Sequence, residues 1–293
     1  MPATYLAGWL KRKPVVYDTH EYYLGMPELN GKPRIKKIWQ WIEEAIFPRL
    51  NYIYTICQPF CDFYYRDYGK QLQFIRNVPS LHFTESGQFK DLKKELDAKM
   101  PTGKHLLLFQ GAGINVERGV EELVLSMQYL NPERYHLVIV GGGDIFEVIR
   151  GLVDEKKLTD RITIIPKVPF EVLRYITLKA DIGFTVDKHN NINHIYGLPN
   201  KIFDYLHAGV PVISSRLSEL EAIIKDYNVG TFIESHDPKH IAQTVETIFD
   251  QPQLLQQWRI NARNVKRDYN WEKEEEKLLA IFEKVCKDHR LKP

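Results

Sequence analysis

From residue 104 to about residue 250 the chain alternates short apolar, β-branched runs with stretches of helical periodicity, and this alternation constrains the fold more than any other feature. Residues 105–109, 136–140, 162–165, 182–186, 210–214 and 229–233 read as strands. Val120, Leu123, Val124, Met127 and Leu130 recur at helical spacing. Further helices are expected from about Asp144 and over residues 169–178, 199–207 and 218–225. Ser218 with Glu221 fits a capping box, and Asp237 before Pro238 fits an N-cap and first helical turn. Strand–helix units in series make a parallel sheet with crossover helices, an α/β doubly wound domain. In such a domain ligands bind beyond the carboxyl ends of the strands.

A chain of 293 residues suggests two domains at roughly 150 residues each. Ahead of Pro101 the rhythm is shorter. A helix over residues 3–10 precedes an extended run at 15–18, a helix at 35–46, a strand at 52–56, a helix at 59–68 and a strand at 72–75. That is half of a second doubly wound domain. The polar stretch 86–99, where lysines alternate with acids, reads as a helical linker. After Trp271 the chain reads as one charged helix to about Lys287, expected to pack back on the first domain. The expected division is therefore a partial domain over residues 1–98, a complete domain over 99–270, and a returning helix over 271–293.

Net charge is +2, from 40 basic against 38 acidic residues, so no whole-chain field calls for a nucleic-acid partner. Two basic clusters stand out: Lys11, Arg12 and Lys13, then Lys32, Arg34, Lys36 and Lys37. Either they form a solvated face or they contact an anionic membrane surface. Cys57, Cys61 and Cys286 make neither a disulfide framework nor a metal pattern, and the first two are expected as buried thiols. No secretory signal is visible in these residues, and no apolar run in them reaches the roughly 18 residues a membrane span needs. A cytoplasmic location is the expectation.

The motif with most chemistry runs from Gly197 through Leu198, Pro199, Asn200, Lys201 and Asp204 to Gly209 and Pro211. A glycine permits close approach of backbone to ligand, and proline suits a helix start. Amides at a helix start face an anion. Asp204, about a turn further on, is placed to accept hydrogen bonds from sugar or ribose hydroxyls. The plainer reading is helix punctuation and core. A second signal joins Gly111 and Gly113 to Glu117, Arg118 and Gly119, where Arg118 either neutralises a diphosphate or caps a turn on the surface. The Gly141, Gly142, Gly143 turn after a strand is weaker, being an incomplete dinucleotide fingerprint.

On these residues the chain resembles the family-4 glycosyltransferases, glycosyl transferases group 1, which have the GT-B fold. The resemblance implies a complete doubly wound C-terminal Rossmann-like domain plus a partial N-terminal Rossmann-like domain. It implies that the diphosphate of a UDP- or GDP-linked sugar sits at Pro199, Asn200 and Lys201. Asp204 matches the second of the family's two glutamates, which holds the ribose, and Tyr196 stands where the first would be. Arg118 matches the second of two basic residues and is expected to be catalytic, while Ala112 stands at the first. Gly142 belongs to the loop that nears the nucleotide, and Lys167 with Val168 to the segment along the base. His20, after the run Val15, Val16, Tyr17 and Asp18, resembles the family's interdomain histidine and is the second expected catalytic residue. Asn77 and residues 269–272 match the end of the acceptor domain and the crossover back to it.

The implied activity is retaining transfer of a hexose to a glycan or lipid-linked acceptor, in cell-surface polysaccharide synthesis. It needs no cofactor, and no Asp-x-Asp triplet is present to hold a metal. The family's first strand and glycine-rich turn have no counterpart here, so the first domain is expected to be N-terminally truncated. Two other readings stay open: a nucleotide-sugar epimerase using Asp18 and Glu21, and a non-catalytic fragment that binds nucleotide sugar.

Overall fold

In the computed structural model, which describes residues 1–291 with the side chain of Pro27 excepted, the strands form two parallel sheets. In chain order they are β1 (Val16–Asp18), β2 (Tyr52–Thr55), β3 (Gln73–Phe74), β4 (His105–Gly111), β5 (Tyr135–Gly141), β6 (Ile162–Pro166), β7 (Ile182–Thr185), β8 (Val212–Ser215) and β9 (Gly230–Ile233). The chain divides into two units. The first comprises Met1–Ser80, His189–Leu198 and the segment from Asn270 on; the second comprises Leu81–Lys188 and Pro199–Tyr269.

The second unit holds the sheet β6-β5-β4-β7-β8-β9. The chain winds outward from β4 to β6, then returns to the other side of β4 and winds outward again through β7, β8 and β9. The winding reverses between β4 and β7, which defines the crevice where ligands of such sheets bind. Every residue of β5 is buried, as a strand covered on both faces requires. Leu107, Phe109, Leu137, Ile139, Ile182 and Phe184 anchor the core, and helices pack on it through Leu123, Val124, Ile149, Ile241 and Val245. Register aligns Gly111 with Gly141 and Gly141 with Pro166, so three strands end together at one rim.

The first unit holds the small sheet β1-β2-β3. Tyr52 and Ile75 pack with Ile281 and Val285 of helix Trp271–His289. Aromatic rings fill much of the rest: Phe47 stacks on Tyr64 at 4.5 Å between centroids, and Tyr22 meets Phe63 edge-on at 5.4 Å. Cys57 and Cys61 are buried, as expected.

The units divide between Ser80 and Leu81, not at the expected 98/99 boundary. The reason is an ion-paired anchor within the second unit. Lys93, on helix Lys90–Lys99, donates to Glu171 at 2.9 Å, and Ser86 donates to the same carboxylate through its amide and its hydroxyl. Residues 189–198 join the first unit because Asn193 bonds both the amide and the carbonyl of Tyr22, and Asn191 donates to the Gly25 carbonyl. Two local expectations change. Helix Ser218–Tyr227 starts on Ser218 with Leu217 in the cap position, one residue before the expected cap, and Glu221 pairs with Arg216 and Lys225. The strand expected at 210–214 starts only at Val212, after Pro211, which has no amide hydrogen to give the ladder. Asp237 does cap helix Pro238–Phe249, accepting from the Lys239 amide at 3.1 Å.

Candidate functional site

At the reversal between β4 and β7, the second unit gathers three charged side chains. Arg118 follows β4 in the loop that ends at Gly119, and Asp187 lies just beyond β7. Lys201 opens the helix Lys201–His207. The Asp187 carboxylate is 1% exposed. It lies 3.2 Å from the Arg118 Nη1 and 3.7 Å from the Lys201 Nζ. Neither of its oxygens accepts a hydrogen bond among the described residues. The Lys201 ammonium also sits 4.2 Å from the centre of the Phe109 ring, a cation–π contact. Burial pushes Lys201 down from the ordinary lysine range and Arg118 adds to this, while Asp187 pulls it back up.

Gly119 explains how Arg118 comes so close. Its φ is 72°, and a Cβ there would collide with the Val186 carbonyl oxygen, so only glycine lets this loop lie against the end of β7. Lys188 donates its amide to the Glu117 carbonyl at 2.9 Å, which ties the same two segments.

A second network surrounds Asp204. Gln110, the buried last-but-one residue of β4, donates from Nε2 to Asp204 Oδ2 at 3.0 Å and accepts from the Thr177 hydroxyl at 2.8 Å. The Gln110 amide donates to the Tyr205 hydroxyl at 3.1 Å. Burial pushes Asp204 up to about 6, against the lowering effects of Gln110 and Arg174.

The glycine loops line the same rim. Ile114 donates its amide to the Gly142 carbonyl at 2.8 Å, joining the loops after β4 and β5. A Cβ at Gly111 or Gly113 would meet its nearest neighbours at 3.8 and 3.5 Å, ordinary van der Waals contact, so packing does not demand glycine at either place. The Lys167 stem lies over Gly142, where an added Cβ would stand 3.2 Å from Cε; Lys167 is exposed and Val168 half-buried.

The helix expected from residue 199 begins at Lys201, with Asn200 as N-cap. The Ile202 and Phe203 amides turn back on the Pro199 and Asn200 carbonyls, so the expected run of open amides stops before Ile202. Tyr196, Gly197 and Leu198 belong to the first unit, where Gly197 ends the short helix Ile192–Tyr196 and the Cys57 thiol donates to the Tyr196 carbonyl at 3.2 Å. His20 is also in the first unit. Its Nε2 lies 2.9 Å from Asp18 Oδ2, and Asn77 approaches its Nδ1 at 3.5 Å. Asp18, one of the two acids an epimerase would need, is engaged by this histidine.

The second unit thus brings together Gly111, Gly113, Arg118, Gly142, Lys167, Val168, Pro199, Asn200, Lys201 and Asp204. The sequence reading missed Asp187 and Gln110. A signal existed for both: a carboxylate just past an apolar strand, and an amide inside one, each at a carboxyl end where such sheets bind ligands. Among the described residues no group of three or more His, Cys, Asp and Glu side chains is arranged to hold a metal ion.

Residues 93–265 match the family described as glycosyl transferases group 1, and the chain belongs to that family. A D-inositol 3-phosphate glycosyltransferase of Xylanimonas cellulosilytica is 23% identical over 192 residues, 64% of this chain and 44% of that protein. The chain therefore spans less than half the length of this curated relative. The crystal structure of a glycosyltransferase from Rickettsia africae matches with a TM-score of 0.73 at 15% identity, over 97% of this chain and 74% of that one. The Anabaena HepE protein, solved in complex with UDP and glucose, matches with a TM-score of 0.74 at 12% identity, over 95% and 74%. The shared fold is the GT-B fold of two Rossmann-like domains, complete here in the second unit and partial in the first.

Proposed function

We propose that this chain carries the donor site of a retaining glycosyltransferase, which moves a hexose from a UDP- or GDP-linked sugar to a glycan or lipid-linked acceptor in cell-surface polysaccharide synthesis. The observation that carries the reading is the pairing of Arg118 and Lys201 at the reversal point of the sheet. Two cations fixed at the rim that carries the glycine loops suit a diphosphate, and the charge that develops on it as the sugar leaves. Asp204, aimed by Gln110, suits a ribose diol. Lys167 and Val168 suit the face of the base. In this mechanism the bond from the anomeric carbon to the diphosphate breaks while the acceptor oxygen bonds to the same face. The acceptor proton passes to the leaving phosphate oxygen. His20, held by Asp18, serves on the acceptor side.

The same reading sets the chain in the cytoplasm against the inner face of a membrane. Helices Pro2–Lys11 and Pro33–Ile46 expose Trp9 (68%) and Trp41 (70%) with Leu10 and Ile38, and the two basic clusters lie on or beside them. Apolar side chains among lysines and arginines suit an anionic lipid surface. Among the described residues no helix is long and apolar enough to cross a membrane.

The test is transfer itself. The chain is incubated with UDP-glucose, UDP-N-acetylglucosamine or GDP-mannose and with glycan or lipid-linked acceptors, and product is followed by mass spectrometry. Acceptor-dependent product with the anomeric configuration kept supports the reading. An epimerised donor formed without acceptor would replace it with the epimerase.

A further inference from the structure

We infer that Asp187 is a positioning residue for the donor diphosphate: its buried carboxylate keeps Lys201 in the ammonium form and holds Arg118 beside it. The inference rests on the donor-site reading above. Asp187 is an unusual carboxylate. It is 1% exposed, and neither oxygen accepts a hydrogen bond among the described residues; its partners are the two cations alone. A carboxylate whose role is to stabilise the fold is ordinarily saturated with hydrogen bonds when buried, because leaving its oxygens unmet is costly. This one is matched by charge and not by hydrogen bonds, at the point where an anionic ligand would meet the same cations.

The groups around Lys201 define what Asp187 must do. Phe109 of β4 presents a ring face, Arg118 of the following loop presents a second positive charge, and Asp187 beyond β7 presents the only negative one described there. On the helix that Lys201 opens, Asp204 is engaged by Gln110. Lys188, next to Asp187, is occupied by Glu122 at 2.6 Å. Burial and Arg118 both favour loss of the Lys201 proton, and Asp187 opposes them. Without Asp187 the buried amine would lose its proton more readily, and with the proton one of the two cations that suit a diphosphate. With it, the cluster carries one net positive charge and both cations are aimed before any ligand arrives, which limits the ordering that binding must impose.

The test is the pH dependence of UDP and GDP affinity, by calorimetry from pH 6 to pH 9, for the wild-type chain, Asp187→Asn and Asp187→Asn/Lys201→Met. The wild-type affinity should stay nearly level from pH 7 to pH 9, above the range in which Asp204 titrates. Asp187→Asn should bind comparably at pH 6 and lose affinity progressively toward pH 9, approaching the level of the double variant. The double variant should bind weakly at every pH, with no alkaline loss. A folded Asp187→Asn chain whose affinity stays in constant ratio to wild type from pH 6 to pH 9 would overturn the inference and leave the donor site standing. If Asp187→Asn does not fold, the same titration on Asp187→Glu decides: affinity that stays level to pH 9 as in the wild type supports the inference, and a folded Asp187→Glu chain that binds no better than Lys201→Met overturns it. Absence of binding by the folded wild-type chain overturns the donor reading and this inference together.

Discussion

Glu43 in the first unit and His136 in the second are both buried, and burial pushes them in opposite senses. Glu43 accepts from the Tyr68 hydroxyl at 3.1 Å, and its carboxyl is pushed up from 4.5 to about 7, chiefly by burial and further by Asp67. His136 lies in β5 with its Nε2 2.8 Å from the Thr163 hydroxyl, and it is pushed down from 6.5 to about 4 by burial, Lys104 and Arg161. Each unit therefore buries its group uncharged at neutral pH or close to it, but one is an acid and the other a base. The contrast follows from the two cores. The second is built from an apolar sheet, and a neutral imidazole fits within it. The first is built from aromatic rings and short strands, and burial among them raises Glu43 even though the Tyr68 hydroxyl, donating to it, acts to lower it.

The largest expected effect tests this contrast directly. A raised carboxyl pKa gives stability that is full below 4.5 and lost as pH rises through 7. A lowered imidazole pKa gives stability that is full above 6.5 and lost as pH falls through 4. Each displacement corresponds to at most about 3 kcal/mol. Hydrogen exchange should show amides of the helix Pro33–Ile46 opening more easily at pH 8 than at pH 5, and amides of β5 opening more easily at pH 4 than at pH 7. Glu43→Gln should abolish the first trend and leave the second. Parallel trends in both units would break the comparison.

Gly119→Ala should act on the second unit alone. A left-handed backbone costs a non-glycine residue about 1–2 kcal/mol, and the collision with the Val186 carbonyl adds to it. The expected outcome is a lower melting temperature together with weaker nucleotide binding, because the loop that carries Arg118 is displaced. A loss of stability with unchanged affinity would separate Arg118 from the ligand.

A smaller effect is expected at Asp204. Its carboxyl, pushed up to about 6, should lose its value as an acceptor for a ribose diol as pH falls below that point. UDP affinity should fall by roughly threefold to tenfold between pH 7 and pH 5, on the scale of one lost hydrogen bond. Asp204→Asn should bind weakly at both pH values, with the acid limb gone. A wild-type acid limb that persists in Asp204→Asn would assign it to another group.

Much of the second unit was legible in the sequence because each of its strands is a continuous apolar run, a pattern that survives without knowledge of neighbours. Arg118 and Asp204 were legible because they sit in strings that resemble a family. Asp187 and Gln110 carried only the weaker signal of a polar residue at a strand's carboxyl end, and which partners they meet depends on the pairing of β4 with β7, which no local pattern encodes. The boundary at Ser80 was hidden for the same reason: Lys93 and Glu171 are far apart in the chain, and it is contacts such as their ion pair, with Ser86 on Glu171 and Lys179 on Asp97, that assign the linker to the second unit. In the first unit the elements were visible but the core was less so: Tyr64 follows the helical spacing of Phe60 and Cys61, yet its stacking partner Phe47 lies in a short turn outside any periodic run.

The central claim is that the Arg118, Asp187 and Lys201 cluster receives a nucleotide diphosphate. Calorimetric titration of the chain with UDP, GDP and ADP, repeated on Arg118→Ala, tests it most directly. The account predicts binding of one of these nucleotides, weakened by roughly tenfold to a hundredfold in the variant, as expected for loss of a charged contact to phosphate. A folded wild-type chain that binds none of them, or an Arg118→Ala chain that binds as well as wild type, would contradict it.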